Sequence, residues 1–186
     1  ANIVNELKKD IPEVDIYMMR VLEQVDSLKL FSYHAFRKPS PPESFKELTE
    51  SFISYAGGLP LALMVLGSSL LNRTDMSFWK EKLVKVRKIG ENDIQKIIQL
   101  SYDELGETEK AIFLDIAFFF VGRDKDEAVH VFKSCDFFPD VGIPVLVEKC
   151  LLTVTKNNVF QMHNIIRDMG KEVIRRESKH GGRHLY

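Results

Sequence analysis

The sequence predicts a mainly α protein: a helical bundle followed by a winged-helix domain with one small β-hairpin. Three observations lead there. Apolar residues recur at three- and four-residue spacing along most of the chain. Cap residues and Gly or Pro breaks divide that spacing into short helices. One late run, "LLTVTKNNVFQMH" at 151–163, reads instead as two strands and a turn.

From Asp26, "DSLKLFSYHAF" places Leu28, Leu30, Phe31, His34 and Ala35 on one broad stripe, which "RKPSPP" ends. Ser44 and Glu47 then have the spacing of a capping box, and Phe45, Leu48, Phe52 and Tyr55 make the buried face of the next helix. Gly57 and Gly58 close it. Pro60 stands at a helix start, where its missing N–H costs nothing, and Leu61 to Leu71 is apolar nearly all round, as a central helix would be. Helices over 77–88 and 93–102 complete the bundle, with Trp79, Leu83, Val86, Ile94, Ile97 and Ile98 facing inward.

Near residue 105 the pattern changes, and a domain boundary is expected there. The division is a helical unit over 1–104, a winged-helix unit over 105–178 and a linker over 179–186. "EKAIFLDIAFFF" is one helix, and Asp124 with Glu127 starts another as a capping box. A short helix at about 141–150 precedes the strands, which Asn157-Asn158 joins as a two-residue turn. An amphipathic helix over 165–176 closes the fold.

Composition narrows function. With 45% hydrophobic residues and 28% charged, 186 residues can remove roughly 70% of their unfolded surface from water. A net charge of −1 gives no global pull toward nucleic acid or anionic lipid. The two cysteines, Cys135 and Cys150, form no CxxC pair and no metal-ligand spacing, so no metal site is expected and a reducing compartment is. His180 and His184 are separated by paired glycines and read as part of a solvated tail. "LPLALMVLGSSLL" and "IFLDIAFFFVG" are shorter than the roughly 20 residues that span a bilayer. The start, "ANIVNELKKD", lacks Met and an apolar signal core, which suggests a segment of a longer polypeptide. Asp115 has no partner acid, His or Ser placed near it by sequence and reads as a hydrogen-bonded structural residue. The basic residues of the last helix, Arg167, Lys171, Arg175 and Arg176, are interleaved with Asp168, Glu172 and Glu177 and read as a solvated face.

Several stretches together carry a resemblance. "YMMRVLEQVDSLKLFSYHAF" (17–36), "GGLPLAL" (57–63), "LSYDELGETEKAIFLDIAFFF" (100–120), "MHN" (162–164) and "IIRDMGKEVIRRES" (165–178) occur in this order. The chain resembles the C-terminal part of the NB-ARC region of plant TIR-class, leucine-rich-repeat disease resistance proteins. The resemblance covers about residues 17 to 186 and implies a helical ARC1 subdomain followed by a winged-helix ARC2 subdomain. It further implies the regulatory part of an ADP/ATP switch in a cytoplasmic, or nuclear, plant immune receptor. The implied partners are an upstream phosphate-binding subdomain and downstream repeats of the same receptor, with no nucleic acid and no membrane. Gly58, Leu59, Pro60, Leu61 and His163 are the implied nucleotide contacts, with Pro60 against adenine and His163 on the ADP β-phosphate. Met162, His163 and Asn164 stand as the switch motif, where the family has Met-His-Asp. Phe118 stands where this class commonly has cysteine, adding bulk to a packed helix.

The phosphate-gripping GxxxxGK[ST] loop does not occur in this sequence: "GSSLLNRT" has the first glycine and no Gly-Lys-Ser/Thr. The backbone amides and lysine of that loop neutralise the β- and γ-phosphates. The chain is therefore expected not to be an enzyme by itself and not to hold ADP or ATP tightly; ATPase and NADase activities of the family belong to upstream segments. Alternation puts Phe160 and Met162 on one face of the second strand and His163 on the other, with Asn164 as the cap of the following helix. An imidazole beside a helix N-terminus favours an anion. The alternative is a winged helix that binds DNA or a protein. Its recognition helix, "DVGIPVLVEKC", offers a single lysine, whereas groove reading calls for several basic or amide side chains.

Overall fold

A computed structural model of the protein describes residues 21–88 and 93–179. The resemblance of residues 17–20, the start "ANIVNELKKD" and the tail with His180 and His184 lie outside the described residues.

Helix α1 runs Gln24–Phe36 and stops where Arg37 turns left-handed at φ 56°. Helix α2, Lys46–Ala56, follows a single 3-10 turn over Glu43–Phe45. Ser44 and Glu47 do not form the expected capping box. The Phe45 N–H donates to the Pro42 carbonyl at 2.9 Å, so the tighter turn takes over the work of a side-chain cap. Helix α3, Pro60–Ser68, is the apolar central helix, shorter than its sequence run because Ser68 and Ser69 hydroxyls bond back to the Val65 and Leu66 carbonyls. Helices α4 (Met76–Arg87) and α5 (Ile94–Asp103) are capped by Asp75 and Asp93, whose carboxylates accept from the Ser77 and Lys96 amides.

Two packing features hold this half together. Gly67 lets α3 lie almost on the α1 backbone: a Cβ there would come within 2.8 Å of the Phe31 carbonyl and 2.9 Å of His34 Cβ. Trp79 is fully buried, with the rings of Phe45 at 4.9 Å, Phe36 at 5.2 Å and Phe52 at 5.9 Å from its own, and its indole N–H donates to the Arg73 carbonyl at 2.8 Å. Each such ring pair adds about 0.5–1.5 kcal/mol beyond the area it buries.

Helix α6 (Glu107–Asp115) runs without a break into a π-turn over Ile116–Phe120. Phe118 and Phe119 are each 45% exposed on that turn, so Phe118 is neither packed core nor added bulk inside it. The wider winding rotates these rings away from the face that buries Ile112, Phe113, Ile116 and Ala117. Helix α7, Lys125–Ser134, is capped by Asp124, which accepts from the Asp126 and Glu127 amides. Helix α8 runs Pro139–Glu148.

Strands β1 (Thr153–Val154) and β2 (Phe160–Gln161) pair antiparallel, Thr153 opposite Gln161 and Val154 opposite Phe160. The turn differs from the two-residue expectation. Thr155 N–H donates to the Val159 carbonyl and Asn158 N–H to the Thr155 carbonyl, so Lys156, Asn157 and Asn158 form a three-residue loop with Asn158 left-handed at φ 59°. The segment before α7 adds a third line of pairing that sequence reading missed: Gly122 N–H donates to the Phe160 carbonyl at 2.8 Å and Phe160 N–H to the Arg123 carbonyl at 3.0 Å. Helix α9, Asn164–Lys179, closes the fold and takes in Lys179, which was expected in the linker.

Buried apolar side chains from both sides of residue 105 form one contiguous cluster, from Phe31 and Trp79 to Leu146, Phe160 and Ile174. Glu104 lies between the buried Lys82 ammonium of α4, which it pairs directly, and Lys149 after α8, at 3.7 Å. Burial lowers the Lys82 pKa even though Glu104 opposes that shift.

Candidate functional site

Gly57 and Gly58 both take positive φ, 58° and 72°, and so turn the chain out of α2. The Gly58 carbonyl accepts the Leu22 N–H at 2.8 Å, and a Cβ on Gly58 would meet the Leu22 carbonyl oxygen at 2.7 Å. Only glycine fits that approach. Leu59 is consequently extended, and Pro60 opens α3 as its first residue.

The opposite edge is built at the joint of β2 and α9. The carbonyl of His163 accepts the Arg167 N–H at 3.0 Å, which makes His163 itself the residue that precedes the helix. Its Nδ1 accepts the Ile165 N–H at 3.3 Å. Asn164 is therefore the first helical residue, and the cap expected of it is supplied by the imidazole. With Nδ1 an acceptor, the neutral ring carries its proton on Nε2. Met162 is half-buried and His163 exposed, in keeping with the alternation from the buried Phe160.

These edges face one cleft of about 600 Å³. Leu59, Pro60, Leu61 and Met64 at the start of α3 line it together with Phe160, Met162 and His163 at the joint of β2 and α9, and with Ile94, Val121 and Leu152. Gly58 and Asn164, expected at the site, are not among the residues that line the cleft. Small-molecule sites commonly occupy about 300–1,000 Å³ with mostly apolar walls and few polar groups. Here the walls are mostly aliphatic and aromatic, the polar side chains among them are those of Cys150, Thr153, Gln161 and His163, and the N-terminus of α9 follows His163. That combination suits a flat heteroaromatic ring joined to an anion.

Cys150 also lines the cleft, its Sγ 3.3 Å from His34 Nδ1. Burial raises the thiol pKa, while burial and, after it, Arg37 lower that of His34, so a neutral thiol meets a neutral imidazole. No group of three or more His, Cys, Asp or Glu among the described residues is placed to hold a metal ion. No helix among them is long and apolar enough to cross a membrane.

Residues 106–178 match the winged-helix domain of Roq1-like disease resistance proteins. Over 167 residues the chain is 40% identical to disease resistance protein RUN1 of Vitis rotundifolia, covering 89% of this chain and 12% of that protein. It is 36% identical over 168 residues to TMV resistance protein N of Nicotiana glutinosa, with 90% and 15% covered. Disease resistance protein RRS1B of Arabidopsis thaliana is 38% identical over 164 residues, with 88% and 12% covered.

The chain matches the C-terminal NB-ARC region of plant TIR-class disease resistance proteins.

It spans 12% of the first of these relatives and 15% of the second. Leu59, Pro60 and Leu61 of the glycine-leucine-proline stretch and Met162 and His163 of the Met-His-Asn stretch, about 100 residues apart in sequence, line the same cleft. Val121, Gly122 and Ile94 were missed as lining residues. Gly122, at φ 84° after an apolar run, was the one visible signal of a wall turning there.

Proposed function

We propose that the cleft is half of an adenine-nucleotide site, in the regulatory part of an ADP/ATP switch of a plant immune receptor. The observation that carries this reading is the convergence of Pro60 and His163 on one apolar cleft. Pro60 and Leu59 would lie against the adenine, and His163 Nε2–H at the start of α9 would meet the β-phosphate. The phosphate-binding loop and the magnesium-holding strand would come from an upstream subdomain of the same cytoplasmic receptor, with repeats downstream. Helical and winged-helix units meeting near residue 105 would then move relative to that subdomain as ADP gives way to ATP. Since this chain supplies no phosphate floor, it would hold ADP weakly at most when alone and would not hydrolyse ATP.

The face of α8 that a DNA-binding winged helix would use is apolar, with Phe138 69% and Val141 61% exposed. Its nearby lysines are engaged, Lys133 with Asp140 at 2.8 Å and Lys149 with Glu104. Phosphate contact needs cations that are available to it. This favours the switch over the nucleic-acid alternative.

The test is ADP release from an intact receptor carrying this segment. His163→Ala should speed release about tenfold, equivalent to the roughly 1.4 kcal/mol of one charge-assisted hydrogen bond. Identical release rates for His163→Ala, Pro60→Ala and the parent would refute the reading.

A further inference from the structure

Arg167, expected on the solvated face of α9, is half-buried and reaches back into the preceding elements. In a continuous α-helix the Val121 N–H would bond to the Ala117 carbonyl; here it bonds to the Ile116 carbonyl at 3.1 Å. That shift takes away the α-helical partner of the Ala117 oxygen, and Arg167 Nε donates to this oxygen at 3.2 Å. A second carbonyl of the same turn, that of Phe119, accepts from Arg123 Nε at 3.0 Å. The π-turn is thus held by two arginines, one of them from another helix.

The other end of Arg167 leads to the cleft. Its backbone N–H donates to the His163 carbonyl, and the His163 ring takes the Ile165 N–H. Gly170 permits this closeness: a Cβ there would lie 3.0 Å from Ala117 Cβ and 3.1 Å from a Phe113 ring carbon. Beyond the π-turn, Val121 and Gly122 form part of the cleft wall, and Gly122 is bonded to Phe160. Both supports that flank the imidazole therefore hang on one turn.

We propose that Arg167 is the positioning residue of His163: by holding the first turn of α9 on the π-turn it keeps the imidazole in its capping geometry at the cleft rim. Its functional meaning rests on the nucleotide reading of the cleft, but the positioning itself does not. Lysine cannot replace it. The bond uses Nε, set within the side chain in the plane of the guanidinium, whereas lysine offers one ammonium at the end of a flexible stem.

The test is nuclear magnetic resonance of this chain with labelled histidine and arginine. In the parent, the neutral form of His163 shows the pattern of a single Nε2–H tautomer, and the Arg167 Nε–H exchanges about tenfold more slowly than that of the exposed Arg175. In Arg167→Lys and Arg167→Met the two ring nitrogens shift toward tautomer averaging and Val121 N–H exchange rises about tenfold, while His130 on α7 is unchanged. Lys171→Met, one turn further along α9, leaves all three signals as in the parent. Unaltered His163 ring signals in a folded Arg167 variant would overturn the proposal. So would parent exchange of Arg167 Nε–H as fast as that of Arg175, a result that needs no variant to fold. No nucleotide enters either measurement, so failure here and failure of the nucleotide reading are separate results.

Discussion

The Cys150 sulfur lies 3.3 Å from Nδ1 of His34, joining the second residue after α8 to the first helix across 116 positions of sequence. Cys150 takes φ 58° to reach it, and the preceding residue, Lys149, faces Glu104. Two adjacent side chains thus fasten the winged-helix half to the helical half, one of them in the wall of the cleft.

Stability should fall in mild acid through His34. The unfolded chain takes up a proton near the ordinary imidazole value of 6.5, while burial and Arg37 hold the folded value lower. His34 thus contributes stability that is present above pH 6.5 and lost as pH falls through its folded value. Urea unfolding at pH 7.5 and pH 5.5 should show a smaller difference for His34→Gln than for the parent. Equal differences would show that His34 does not carry the effect.

Glu104→Gln should destabilise by about 2 kcal/mol, because it leaves the Lys82 ammonium buried without its counter-charge. That figure is below the roughly 3–5 kcal/mol of fully buried pairs, since Glu104 is 31% exposed. Replacing both partners by Lys82→Met and Glu104→Leu should recover most of the loss. Denaturant midpoints of the single and double variants decide it, and a double variant no more stable than Glu104→Gln would contradict the account.

Gly67→Ala should cost about 1–3 kcal/mol, the usual range for overpacking. The added methyl would meet α1 backbone, which cannot swing aside as a side-chain end can. A thermal melt within a degree of the parent would mean that α1 and α3 separate freely.

Asn164→Asp should stabilise by about 0.3–1 kcal/mol, because the first turn of α9 favours negative charge. The cap itself comes from His163 and is untouched by this change. Melting temperatures at low and high salt test both parts: a gain that persists undiminished at high salt would rule out the dipole as its source.

Much of this was legible in sequence because helical spacing and the Gly57, Gly58 and Pro60 signals are local. Pro60 could be placed at a helix start, and Phe160 inside, from neighbours a few residues away. What escaped depends on pairing across the chain. Nothing local marks Ile116–Phe120 as a π-turn, since the Ala117 carbonyl is satisfied by an arginine 50 positions later. Phe118, which adds bulk to a packed helix by its position in the sequence, therefore lies on that turn with its ring 45% exposed. The hairpin was read as a two-residue turn because Asn157 and Asn158 both tolerate left-handed backbone; the register of Val154 with Phe160 leaves room for three. Residue preference makes Asn164 the cap, yet the helix is entered one residue earlier and the His163 imidazole takes the bond.

The most direct measurement is photo-crosslinking of an azido-adenine analogue of ADP to an intact receptor carrying this segment, followed by peptide mapping. Labelling within residues 57–64 and along the opposite wall within 150–166, lost on competition with ADP, is the predicted result. Competed labelling found only outside both segments would contradict the claim that Pro60 and His163 flank one nucleotide.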